Sequence, residues 1–187
     1  MATLESMLAV ELRRGMNTLG FRGGPWTYWR ETSEAWHFVR AQRRSGPNLA
    51  LPDTGAMDLS FTADIGVASR WLLSGEGIDP GRRPGRRDWH YDLRIGALMP
   101  AHHDYWWVLR PGDNETRLRA VVEDFIANVA AHGFRGFEMF GTDDALVARW
   151  AADETWLSPP ERIWLSRLRT KATQDGSDGQ DESREEL

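Results

Sequence analysis

The densest group of chemistry-bearing side chains in the sequence is His102-His103-Asp104, with Asp88, His90 and Asp92 a short way upstream. Imidazoles and a carboxylate are ligands that Zn, Ni or Fe would accept. Adjacent histidines on an extended chain point to opposite sides, so one ion does not easily reach both. No H-E-x-x-H or comparable spacing accompanies them. The segment therefore reads two ways. It is either a metal site at His102, His103 and Asp104, which would make the protein a small metal-assisted hydrolase, or a loop whose histidine and Asp104 bond to backbone.

A second group lies on strands. Met57, Leu59, Phe61, Ala63, Ile65 and Val67 alternate with Asp58, Ser60, Thr62, Asp64 and Gly66. This period of two predicts a strand with one face in the core and the other toward water or a polar site. His90–Met99 alternates as well, with Asp92 and Arg94 on one side. If the two polar faces coincide, Asp64 and Arg94 become a pair, joined by Arg40 and Gln42. Such a face is either a groove for a small ligand or partner segment, or a solvated surface with cross-strand ion pairs. A third group, GRRPGRRD, carries Arg82, Arg83, Arg86 and Arg87 between Trp71 and Trp89. Four arginines beside indoles could grip phosphates and stack bases. The rest of the chain argues against nucleic acid and for a solvated loop, because the body is charge-neutral and carries no nucleic-acid motif.

Several chemistries are excluded outright. There is no cysteine, so disulfides, thiolate metal sites and cysteine nucleophiles are absent. No G-x-S-x-G elbow occurs. Gly20–Gly24 follows a helix and precedes a strand, the reverse of a phosphate-binding glycine loop.

The elements that must position these residues follow from periodicity. Leu4, Met7, Leu8, Leu12, Met16 and Leu19 predict a first helix, stopped by Gly20 with Phe21 folding back on Met16. Trp26–Arg30 and Ala35–Gln42 read as a hairpin, 46–56 as a Pro/Gly loop, and Ser69–Ser74 as a short helical turn. Residues 75–88 form a mobile loop in this reading, and Trp106–Leu109 a short strand. A second long helix starts at Asp113 or Asn114 and carries Leu118, Val121, Val122, Phe125, Ile126 and Val129. Gly133-Phe134 repeats the ending seen at Gly20-Phe21. Thr142 opens a shorter helix, and Ser158-Pro159-Pro160-Glu161 opens the last one. The order argues for an α+β domain, an antiparallel sheet of four to five strands packed on N- and C-terminal helices.

Taken in order, Gly20-Phe21, WTYWRE, AWHFVRAQR, FTADIGV, LRIGAL and HHDYWW resemble the bacterial domain of unknown function 4304 family. The likeness runs from Leu4 to Phe140. Asp64 stands where that family's pattern has asparagine. The resemblance implies a fold and no activity.

Charge and composition bound the rest. The tail from Ala172 holds Asp175, Asp178, Asp181, Glu182, Glu185 and Glu186 against Arg184, which is the whole formal charge of −5. Residues 1–171 thus read as a neutral domain and 172–187 as a disordered acidic tail. Near-total use of arginine, with Lys171 the one lysine, fits a GC-rich genome. The N-terminus lacks a signal-peptide layout and no apolar run would span a bilayer, so a cytoplasmic protein without membrane contact is expected. Ten tryptophans are unusual for 187 residues; most belong in the core, and Trp26, Trp29, Trp36, Trp106 and Trp107 are candidate exposed anchors. The leading expectation is a non-enzymatic, adaptor- or immunity-like binding domain with no cofactor. Its partner would be a protein or a small ligand, held by Asp64, Arg94, Gln42, Trp106 and Trp107. The metal-assisted hydrolase is the alternative.

Overall fold

The computed structural model describes residues 3–43 and 59–178. Helix α1 (Leu4–Thr18) leads into the strands β1 (Arg22–Gly23), β2 (Thr27–Glu31), β3 (Ala35–Arg43) and β4 (Leu59–Ser69). A one-and-a-half-turn helix α2 (Arg70–Gly75), a long loop and β5 (Tyr91–Arg94) follow, then β6 (Trp107–Leu109). The chain ends in α3 (Glu115–Asn128), α4 (Phe134–Phe140), α5 (Asp143–Ala151) and α6 (Pro159–Asp178). All strands pair antiparallel in the order β1-β2-β3-β4-β5, and β6 pairs with the first residues of β4 on the same edge that β5 occupies further along. The α+β architecture is as the periodicities predict.

The local reasons are those of capping and alternation. Thr3 caps α1 by accepting from the Ser6 amide, and Gly20 at φ +80° ends it while the Phe21 amide returns to the Met16 carbonyl. Asn114 and Thr142 cap α3 and α5 in the same way. Ser158 and Glu161 join at the start of α6, where the Glu161 carboxylate accepts from the Ser158 amide and hydroxyl.

One sheet face meets the helices. Phe61, Ala63, Ile65 and Val67 of β4 join Val39, Ala41, Tyr28, Leu8, Leu12, Met16, Val121 and Phe125 in one apolar core. Phe125 of α3 lies 5.7 Å from Phe61 and 4.9 Å from Trp107, ring to ring. His37 is buried on this face, stacked at 4.5 Å on Phe137 of α4. Burial, then the Arg30 charge beside it, lowers its pKa to about 4, so the ring is neutral.

Three local expectations are corrected. The alternation at His90–Met99 yields a strand only over Tyr91–Arg94, because Ile95–Ala97 turns into a 3-10 helix. There the His103 carbonyl packs so closely on Gly96 that a Cβ would overlap it. Gly133-Phe134 does not end a helix: the chain passes through a π-helical segment, Val129–Gly133, straight into α4. Gly133 serves close packing instead, since a Cβ there would press on the Ile65 side chain. The final helix runs past Lys171 to Asp178, so 172–178 are helical and only 179–187 of the acidic tail lie outside the described residues. Residues 75–88, read as a mobile loop, are mostly exposed but meet the sheet through Pro80 and Arg86. The Pro/Gly loop at 46–56, with Met57 and Asp58 of the expected strand, also lies outside the described residues.

Candidate functional site

The other sheet face carries the sequence-predicted constellation. Antiparallel register sets Asp64 beside Arg40 on β3 and Arg94 on β5, and Gln42 beside Thr62. Asp64 is 4 % exposed. Around its carboxylate stand Arg86 Nη2 at 3.5 Å, Arg40 Nη1 at 3.8 Å and Arg94 Nε at 3.9 Å. These distances are ion pairs without good hydrogen bonds. Burial pushes the Asp64 carboxyl above the usual carboxylate range, while Arg86, Arg40 and Arg94 pull it the other way.

Arg86 comes from this 75–88 loop, which sequence reasoning treated as separate from the sheet. The loop is pinned at several places. Trp36 Nε1 donates to the Pro80 carbonyl at 3.0 Å, and the Gly85 amide donates to Asp88 Oδ2 at 2.7 Å. Trp89 stacks on Phe38 at 4.7 Å and covers Gly66, where a Cβ would overlap its six-membered ring. Trp36, Phe38, Ala68, Leu73 and Trp89 thereby form a small second core on the polar face. Beside it the loop leaves a cavity of about 410 Å³, lined by Thr27, Phe38, Arg40, Arg83, Pro84, Gly85, Arg86 and Trp89.

This face is buried but poorly satisfied. Ser60 Oγ, Thr62 Oγ1, Asp64 Oδ2, Arg40 Nη1 and the indole nitrogens of Trp29 and Trp89 are buried with no hydrogen-bond partner. They make up six of the nine such atoms among the described residues, so unmet polar capacity is concentrated here.

The His-His-Asp cluster does something else. His102, in the left-handed region at φ +48°, places Nδ1 3.0 Å from the Ala97 carbonyl. Asp104 accepts from Arg94 Nη1 at 2.6 Å. His102, His103 and Asp104 are exposed, and among the described residues no three His, Cys, Asp or Glu side chains group as a metal centre would need. The proposed metal triad is therefore not assembled; the loop reading holds for His102, which meets backbone, whereas Asp104 pairs with the Arg94 side chain instead of backbone. The upstream members also disperse, Asp88 to the Gly85 amide, Asp92 to Arg86 at 3.1 Å, and His90 inward.

His90 belongs to a buried tie between elements. Its Nδ1 accepts from the Ser69 backbone amide at 2.9 Å. The Ser69 hydroxyl donates to Asp143 at 2.6 Å, and Lys171 donates to the other Asp143 oxygen at 2.6 Å. Serine, histidine and aspartate are near neighbours here, yet the imidazole meets the Ser69 amide and not its hydroxyl. That hydroxyl caps α2 and is buried, so it has no nucleophile's geometry.

The aromatic anchors divide. Trp36 and Trp107 are buried, against the expectation of exposure, because Trp36 packs under the loop and Trp107 on Phe61 and Phe125. Trp26, Trp29 and Trp106 are half-buried, with Arg94 lying over the Trp106 ring at 5.4 Å. The large exposed apolar side chains among the described residues are Val10, Met139 and Ile163. Thr27 and Pro84 were missed as site residues, while Arg83, Arg86 and Trp89 were singled out only as a loop group separate from the sheet. Their signal was the arginine run itself, which nothing in the sequence tied to the sheet.

No protein-family model, curated protein or solved structure matches the chain. No helix among the described residues is long and apolar enough to cross a membrane.

Proposed function

We propose that the protein is a non-enzymatic binding domain whose binding site is the cavity between the sheet's polar face and the loop of Arg83–Trp89. The observation that carries this reading is the cavity itself. Its about 410 Å³ falls in the roughly 300–1,000 Å³ range of small-molecule sites. Buried polar atoms without partners, Arg40 Nη1 and Trp89 Nε1, belong to its lining residues. Buried polar groups ordinarily find partners, and an occupant would supply them.

The shift from protein partner to small ligand rests on exposure. The candidate tryptophan anchors are buried or half-buried, and Val10, Met139 and Ile163 lie on three different helices. A cytoplasmic setting, and kinship with the domain of unknown function 4304 family, belong to the same proposal. They rest on the missing cysteines and the order of the quoted motifs, and neither adds an activity.

The test is a thermal-shift screen of a chemically mixed small-molecule library, run on the wild type and on Thr27→Trp. The larger side chain should fill the cavity; near-UV circular dichroism checks its fold. A ligand should raise the wild-type melting temperature by several degrees and leave Thr27→Trp unmoved. Ligands that stabilise both proteins equally would sink the reading.

A further inference from the structure

Resting on that reading of the cavity, we infer the chemical class of its occupant: a small molecule bearing a phosphoryl or carboxylate group, its oxygens held by Arg40, Arg83 and Arg86. Three guanidinium groups and no carboxylate line the cavity. Guanidinium is a planar fork of donors that matches oxyanions two oxygens at a time.

The donors are also uncommitted. Arg40 and Arg86 stand 3.8 and 3.5 Å from Asp64, too far for strong hydrogen bonds. Arg40 Nη1 is buried without any hydrogen-bond partner. Arg86 gives one bond to Asp92, at 3.1 Å, and keeps its other N–H groups. Among the described residues Arg83 makes no ion pair. Leaving a buried guanidinium N–H unmet is costly, and an anionic oxygen removes that cost.

Nearby acids do not reverse the sign. Asp64 is buried behind the arginines and outside the lining, where it draws Arg40, Arg86 and Arg94 together as a positioning residue. Asp88, Asp92 and Asp104 also lie outside the lining: Asp88 accepts from the Gly85 amide, and Asp92 and Asp104 have half-exposed side chains that solvent screens. The apolar part of the lining is Phe38, Pro84 and Trp89, and Trp89 already stacks on Phe38. With Phe38 stacked on Trp89 and the Arg86 guanidinium 6.0 Å from the same ring, the indole is already engaged, which favours a small oxyanion over a stacked nucleic-acid base.

The full chain is titrated with inorganic phosphate, pyrophosphate, succinate, citrate and a single-stranded oligonucleotide, with binding followed by calorimetry and by the Gly85 amide resonance. At least one small anion should bind saturably, shift Gly85 and weaken as salt is raised. Arg83→Ala and, separately, Arg40→Gln should weaken it tenfold or more. Arg119→Ala, on α3 and paired with Glu115, should leave it unchanged. Preference for the phosphates or for the carboxylates identifies the source, and either supports the inference. Absence of saturable binding by all four anions overturns it, as does equal binding in the Arg83 and Arg40 variants, or tighter binding of the oligonucleotide. If the anions fail while an uncharged library compound still shifts Gly85 and is lost in Thr27→Trp, the oxyanion inference falls and the cavity reading stands.

Discussion

The two faces of one sheet have been buried by different means. On the helix side, β4 presents Phe61, Ala63, Ile65 and Val67 to α3 and α4, and rings meet rings at 5–6 Å. On the loop side the same strand presents Ser60, Thr62 and Asp64, which are as buried as their neighbours but lack hydrogen-bond partners. Packing on the first face is self-sufficient, because apolar side chains ask only for contact. The second face is left in deficit. Burial alone therefore does not distinguish core from site; satisfaction does.

Removing a ring from the helix face gives the largest effect. Phe125→Ala should cost about 3–5 kcal/mol, read by urea denaturation. Ligand binding, measured well below the unfolding midpoint, should survive. A cost under about 1 kcal/mol would mean that this face is not the main source of stability.

His37 is the polar intruder on the apolar face, and pH probes it. Its folded pKa of about 4 lies below the ordinary histidine value of 6.5, so the unfolded chain binds more protons between these limits. Stability is complete above about pH 6.5 and is lost as pH falls toward 4. The shift corresponds to about 3 kcal/mol at most. His37→Gln should flatten that acid limb, as followed by thermal unfolding from pH 7 to 4. An unchanged pH profile would show that His37 ionises freely in the folded protein.

Crowding the loop face comes next. Gly66→Ala should cost about 1–3 kcal/mol, because the new methyl meets the Trp89 ring. It should also shift Trp89 fluorescence and weaken ligand binding. Loss of stability without any change at Trp89 would argue that the loop is not seated on Gly66.

The smallest effect has the opposite sign. Thr62→Val removes a buried hydroxyl without a partner while keeping its shape, and should stabilise by about 1 kcal/mol. The same change at a satisfied hydroxyl would destabilise. A loss of stability here would show that Thr62 Oγ1 has a partner in solution and would erase part of the contrast between the faces.

Local signals were legible where one physical cause dominates. Strict alternation on β4 reported its two faces, and register then made the Asp64–Arg94–Arg40 group readable, with Gln42 beside Thr62. Gly20-Phe21 reported a helix end because Gly20 needs a positive φ. The same dipeptide at Gly133-Phe134 misled, since glycine there answers a long-range need, close approach of helix to Ile65. His90–Met99 misled because a carbonyl arriving from His103 favours a turn at Gly96. The cavity was hidden for a related reason. Arg83 and Arg86 share a lining with Arg40 because the loop packs back on the sheet, with Trp89 on Gly66, a contact between residues far apart in the chain.

That pinned loop has an energetic consequence. Trp36 holds it at Pro80, Asp88 holds Gly85, and Trp89 anchors its end. The conformational entropy of residues 80–89 is surrendered when the protein folds, so an occupant meets arginine-bearing backbone already in place and need only fix the side chains. Affinity at such a site then depends on an indole that never touches the ligand: Trp36, outside the cavity, becomes one of its determinants.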